Sequence, residues 1–201
     1  MSAAALTDAY DIDGVGRDML LRSHRPEPVP LERDGLPGAV LRDQKPMSDG
    51  ALVRCLQDGL TPSQWYERLN SHSFFWLSRD RIWRLLKAKA YRCTPQTVLT
   101  IDTRGLIAAH RERIWLSPIN SGSTLFKAQP RGSATFARVA DFPFFRCATS
   151  GTRKKNNVVE LLVEHSVPDV ADHVLAVHKV RYDQIVGEIW RSDRASTDDH
   201  P

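Results

Sequence analysis

Apolar and polar residues alternate along this chain with two different periods, and the changes of period mark its elements. Leu6 to Leu21 reads as a short helical element. Pro26, Pro28, Pro30 and Pro37 then make residues 24–38 an extended, helix-poor connector, since each proline removes a backbone donor and fixes φ. Leu52, Cys55, Leu56 and Leu60 recur at helical spacing behind Ser48 and Asp49, either of which can cap a helix. Thr61-Pro62-Ser63-Gln64 combines a capping-box pattern with proline at the first helical position and predicts a second helix through Leu69. The aromatic run Ser73 to Leu77 predicts a strand, and Ser78 can cap a following helix with Ile82, Trp83, Leu85 and Leu86 on one side.

Farther along, Thr97 to Asp102 predicts a strand, Thr103 to His110 a helix, and Arg113 to Leu116 a strand entering a polar loop, Ser117 to Thr124. Residues 125–156 read as an irregular stretch rich in Arg, Gly, Ser and Pro, of the length that is either functional or mobile. Val158 to Val163 is apolar at every position except Glu160. With a side-chain period of two, Val158 and Leu162 share the Glu160 face, and Val159, Leu161 and Val163 line the other, so both faces are expected to be buried. Val174 to Val180 reads as the last strand, followed by a short segment around Tyr182 to Trp190 and a polar tail. Short helices mixed with short strands predict an α+β fold with small mixed or antiparallel sheets and flanking helices. The expected organisation is an amino-terminal helical segment and connector over 1–38, one α+β domain over 39–191, and a tail over 192–201.

Composition narrows the class without naming it. At 201 residues, 41% hydrophobic and 26% charged, the chain matches a soluble globular protein with one ordinary core. It has no bilayer-length apolar run and no signal-peptide core between Met1 and Ile12, so no membrane association and a cytoplasmic location are expected. Cys55, Cys93 and Cys147 are odd in number and widely spaced, which fits neither a disulfide framework nor a zinc knuckle. A net charge of +4 permits an anionic partner. The densest basic segment, with Arg79, Arg81, Arg84, Lys87, Lys89 and Arg92, is either a solvated helix face or a surface that meets phosphates.

Several catalytic patterns are excluded or weak. Gly14-Val15-Gly16 lacks the third glycine and preceding strand of a dinucleotide fingerprint, and no Gly-Lys-Ser of a phosphate loop occurs. Ser121 and Ser123 lack a Gly-x-Ser-x-Gly elbow. His165, His173 and His178 are near in sequence, but the odd separation of the last two along a strand turns them to opposite faces, and no metal site is expected. Two features remain. A carboxylate within an apolar strand is penalised by desolvation unless hydrogen bonds, a partner or an open cleft compensate, so Glu160 is either an edge residue reaching water or an active-site acid. The Asn120-Ser121-Gly122-Ser123 loop is either turn-forming filler or a means of bringing N–H groups and hydroxyls to a phosphate or ribose.

Phe75-Trp76-Leu77-Ser78-Arg79-Asp80, the Asn-Ser-Gly-Ser loop, and Val159-Glu160-Leu161-Leu162-Val163 with Val167-Pro168 occur in that order. This order resembles the ADP-ribosyltransferase superfamily, and more closely the bacterial DarT-like enzymes that modify DNA bases. From Arg42 through Val177 the chain also resembles a family of uncharacterised bacterial domains. The resemblance implies an ADP-ribosyltransferase-like fold, with NAD as substrate and Glu160 as the catalytic residue. Phe75 or Trp76 would then pack on nicotinamide, Asn120, Ser121 and Ser123 would hold ribose or phosphate, and Arg42, Arg79 or Arg92 would pair with the diphosphate. It further implies a nucleic-acid or protein acceptor, the former met through the basic helix, and a regulatory partner protein for a toxin-like activity. The superfamily's amino-terminal strand with its ribose-contacting His has no counterpart before Leu6, and neither His24 nor His72 is placed to replace it. The expectation is therefore a chain lacking one part of the site, through truncation, a misassigned start or loss of activity. In the last case it is a silent module that binds nucleic acid or a partner protein.

Overall fold

The computed structural model describes residues 1–147, 153–155 and 158–201. Among them are seven α-helices: α1 (Ala3–Ala9), α2 (Gly14–Arg22), α3 (Asp49–Cys55), α4 (Pro62–Asn70), α5 (Arg79–Leu86), α6 (Thr103–His110) and α7 (Val170–His173). The strands are β1 (Val29–Leu31), β2 (Ala39–Leu41), β3 (His72–Trp76), β4 (Gln96–Ile101), β5 (Ile114–Ser117), β6 (Ala137–Arg138), β7 (Phe145–Cys147), β8 (Arg153–Lys155), β9 (Glu160–Glu164), β10 (Val174–Arg181) and β11 (Gln184–Arg191). The fold is mixed α+β, and the pairs β1·β2, β10·β11, β10·β4, β5·β6, β5·β9 and β7·β8 are antiparallel. No helix among the described residues is long and apolar enough to cross a membrane. The chain divides into two compact units: Met1–Phe75 with Arg113–Val167, and Trp76–Glu112 with Pro168–Pro201.

The first unit is built on a sheet of order β3-β9-β5-β6. Strands β5 and β9 pair from Ile114 opposite Val163 to Ser117 opposite Glu160. Leu162 on one face of β9 joins Met47, Leu52, Cys55, Trp65, Tyr66, Leu69 and Phe136 in the core. The local signals that start α3 and α4 carry through. Ser48 Oγ accepts from Ala51 N, and Thr61 and Gln64 complete a reciprocal capping box. Trp65, fully buried, stacks on Phe136 with ring centroids 5.5 Å apart. The second unit holds a sheet of order β11-β10-β4 with α5, α6 and α7.

Three sequence expectations need correction. The stretch 24–38 is extended and without a helix, and its Val29–Leu31 part is β1, which pairs with β2 from Val29 opposite Leu41 to Leu31 opposite Ala39, because an extended proline-containing segment can occupy a short edge strand. Glu160 opens its strand instead of standing in the middle, since pairing begins at Ser117. The stretch 125–156 is not uniformly irregular: it holds β6, β7 and β8, while its residues 148–152 and 156 lie outside the described residues. Finally, the segment after β10 is an eight-residue strand, β11. Seven of its residues are exposed, so no alternation announced it.

Candidate functional site

Glu160 and the Asn-Ser-Gly-Ser loop meet in the first unit. Ser117, opposite Glu160, shapes the loop entry: its Oγ donates to Ile119 O at 2.9 Å and accepts from Ile119 N at 3.2 Å. Glu160 is 3% exposed, and its Oε2 accepts from Ser121 Oγ at 2.6 Å and from Ser121 N at 3.1 Å. Two donors on one carboxylate oxygen are the compensation that burial of this group demands. The edge-residue reading of Glu160, with its head in water, is thereby removed.

The loop is held from beneath by Arg131, which is 1% exposed. Its guanidinium donates to Ser121 O and Ser123 O, each at 2.9 Å, and its Nε to Gln129 O at 3.1 Å. Trp65 Nε1 shares Ser121 O at 3.4 Å, and the Arg131 cation lies 5.8 Å from the Trp65 ring centroid. Burial draws the Arg131 pKa down, while the Cys55 sulfur and the Glu160 carboxylate draw it back up. At its far end the loop is tied to the polar segment after β2, where Thr124 N donates to Pro46 O at 2.8 Å and Ser48 N to Thr124 Oγ1 at 3.3 Å. Gly132 lets the Arg131 backbone come this close: a Cβ there would stand 2.5 Å from Asp58 Oδ2 and 3.1 Å from Gln57 Cβ.

The remaining site residues of the sequence analysis fall in different places. Asn120 is exposed and Ser123 half-buried, on either side of the anchored Ser121. Phe75 is half-buried in β3, beside β9 in the sheet. Arg42 is exposed just past β2, and its carbonyl accepts from Arg25 Nε at 3.2 Å. Trp76, Arg79 and Arg92 belong to the second unit. There Arg79 donates to the carbonyl oxygens of Asp198 and His200 in the tail. Arg92 is exposed beyond α5. Arg131 and Trp65 were missed by sequence reasoning. A single Arg between Pro130 and Gly132 carries no periodic signal, and Trp65 reads only as a core position of α4.

The two histidines weighed as replacements for the superfamily's His have other engagements. His24 Nε2 lies 3.1 Å from Gln44 O. His72 donates from Nδ1 to Arg68 O at 2.7 Å, with its ring 6.4 Å from that of Phe136. Burial holds the His72 pKa below its ordinary 6.5, although the Arg68 carbonyl acts to raise it. Because the folded-state value is the lower one, the unfolded chain binds the proton more readily. The His72 contribution is therefore fully present above pH 6.5 and is lost as the pH falls from 6.5 through the folded value. Urea melts at pH 7.5 and pH 5 should show lower stability at pH 5, with a smaller difference in His72→Gln; an unchanged difference would remove His72 from the acid response.

The family of unknown function DUF7002 matches residues 1–174. The chain belongs to this family. Neither a curated protein nor a solved structure matches it. The matched span contains the whole Glu160 site, from Trp65 through Ser117, Ser121 and Arg131 to Glu160.

Proposed function

We propose that this DUF7002 chain is an ADP-ribosyltransferase-like protein that moves the ADP-ribosyl group of NAD to a nucleic-acid base or a protein acceptor. The observation that carries the reading is the joining of Glu160 to Ser121: two motifs 39 residues apart form one buried polar centre. An aromatic strand, β3, lies next to the Glu160 strand, as the same reading requires. In the reaction the bond between ribose C1′ and the nicotinamide nitrogen breaks, and nicotinamide leaves with the electron pair. The acceptor's nucleophile bonds to C1′ and gives up its proton. Positive charge develops on the ribose in between, and a carboxylate fixed beside it stabilises that charge. Glu160 is that carboxylate, Asn120 and Ser123 contact ribose or phosphate, Phe75 packs on nicotinamide, and Arg42 pairs with the diphosphate. A base of DNA or RNA is reached when single-stranded or flipped.

The test is incubation of the full chain with NAD labelled in its adenylate part. Nicotinamide release and label transfer to a single-stranded oligonucleotide or to protein are expected. Absence of both, together with no NAD binding by titration, would sink the transferase reading. One observation favours the second reading, a catalytically silent module. Glu160 is nearly inaccessible and commits Oε2 to Ser121, as a purely structural latch would. That reading predicts salt-sensitive nucleic-acid binding, weakened when Arg81 and Arg84 are neutralised, or capture of a protein partner, without NAD turnover.

A further inference from the structure

A second polar centre lies in the second unit, where no motif pointed. His110 ends α6, Asp169 precedes α7, and His173 ends α7 one helical turn after Asp169. His110 Nε2 is 2.8 Å from Asp169 Oδ1 and 3.1 Å from Oδ2, and His173 Nε2 is 3.4 Å from Oδ2. One ligand atom from each of the three lies within 4.8 Å of the others. The two imidazoles meet nearly edge to face, with centroids 5.8 Å apart and planes at 79°.

We propose that His110, Asp169 and His173 form a binding site for one divalent first-row transition cation of the zinc type. Two nitrogens and a carboxylate oxygen are the donor set that such a cation takes. In a tetrahedral site with bonds of roughly 2.0–2.1 Å, ligand atoms stand about 3.3 Å apart. The separations of 2.8 and 3.4 Å straddle that value. The decisive feature is His173. Its residue is 8% exposed, its Nε2 is buried without a hydrogen-bond partner, and that atom is directed at Asp169. A buried ring nitrogen left with a 3.4 Å carboxylate contact and no hydrogen bond is under-satisfied, and a cation accepting its lone pair removes that cost.

The surroundings fix the His173 backbone and bring α6 against its ring. Asp102 N donates to His173 O at 2.8 Å, and Asp102 Oδ1 accepts from Gly105 N at 3.0 Å. A Cβ at Gly105 would approach His173 Nδ1 to 3.3 Å and Asp102 Oδ2 to 2.7 Å, so glycine lets α6 lie against the imidazole. The Asp169 side chain is 38% exposed, against 10% for each histidine, which leaves an entry path and a fourth position for water on its side. The site ties the end of α6 to α7 and is independent of the NAD reading. The histidines weighed in the sequence included His173 but paired it with His165 and His178; its partner from α6 is 63 residues earlier and only the fold supplies it.

The full chain, stripped with a chelator, is titrated with Zn²⁺ against a chromophoric competitor, and with Co²⁺ while its visible spectrum is recorded. One equivalent per chain, a Co²⁺ spectrum of a four-coordinate nitrogen–oxygen site and a rise in melting temperature with Zn²⁺ are expected. Loss of a supporting residue around a metal lowers affinity by about 10–100-fold, so His173→Gln and His110→Gln should each cost at least the upper part of that range. Asp169→Asn, which keeps the shape and a hydrogen-bonding oxygen, should weaken binding while preserving the metal-free melting temperature. Cys93→Ser and His200→Gln, which are not among the three ligands, should leave binding unchanged. Zero stoichiometry, unchanged affinity in His173→Gln, or equal loss in Cys93→Ser would overturn the proposal.

Discussion

If the chain is the transferase proposed, Glu160→Gln is expected to abolish ADP-ribosyl transfer while leaving the melting temperature close to that of the unsubstituted chain. Glutamine keeps an amide oxygen that can accept from Ser121 N and Ser121 Oγ, so the latch persists, but the negative charge is gone. If that charge faces the developing oxocarbenium, its loss should lower the rate by at least about 100-fold, the scale of removing one preorganised electrostatic contact. Glu160→Ala should lose activity and also stability, because the Ser121 donors would remain buried without their acceptor, at about 1–3 kcal/mol. Label transfer and thermal melts of the three proteins separate the roles. Activity lost at constant stability in the Gln variant makes Glu160 the charge-stabilising carboxylate of the mechanism. Unchanged transfer in that variant would remove it from the chemistry and leave the latch as its function.

Arg131→Met should be the most destabilising single change in this site. Methionine retains much of the buried volume but supplies none of the donors now given to Ser121 O, Ser123 O and Gln129 O. Hydrogen bonds from a charged donor contribute about 1.5–3 kcal/mol each, and their losses overlap, so a fall of roughly 3 kcal/mol or more in unfolding free energy is expected in urea melts. The Glu160 carboxylate would at the same time lose a cation that interacts with it. Lysine should not restore stability, since a single ammonium cannot span two carbonyls as the planar guanidinium does. A double substitution of Arg131 and Glu160 should be less harmful than the sum of the two single changes, by the coupling of about 0.5–3 kcal/mol usual for residues in one network. A loss below about 1 kcal/mol for Arg131→Met would mean that the loop is held by Trp65 and the Pro46 contacts instead.

The Glu160 anomaly was legible because it needs only one dimension. Alternation along β9 places both faces in the core, and a carboxylate there requires partners whatever the rest of the fold. The identity of those partners was not legible. Ser121 was singled out for its small polar loop, Arg131 not at all, and the two come together because β5 pairs with β9 at Ser117 and Glu160 while Arg131 N bonds to Cys55 O. The strand β11 escaped notice for the opposite reason: an exposed edge strand has no buried face to impose a period on its sequence.

What the sequence determined by itself are the features whose causes act within a few residues. The caps at Ser48 and Thr61, the proline at the start of α4, the helix Thr103–His110 and the two-sided burial of β9 all rest on local hydrogen bonds and side-chain periodicity. Only the tertiary structure decided that Glu160 is latched to Ser121 over a buried Arg131, and that His110 reaches His173 across Asp169. Those groups are separated by 39 and 63 residues, and pairing at such distances follows from strand register and packing, which no local pattern encodes.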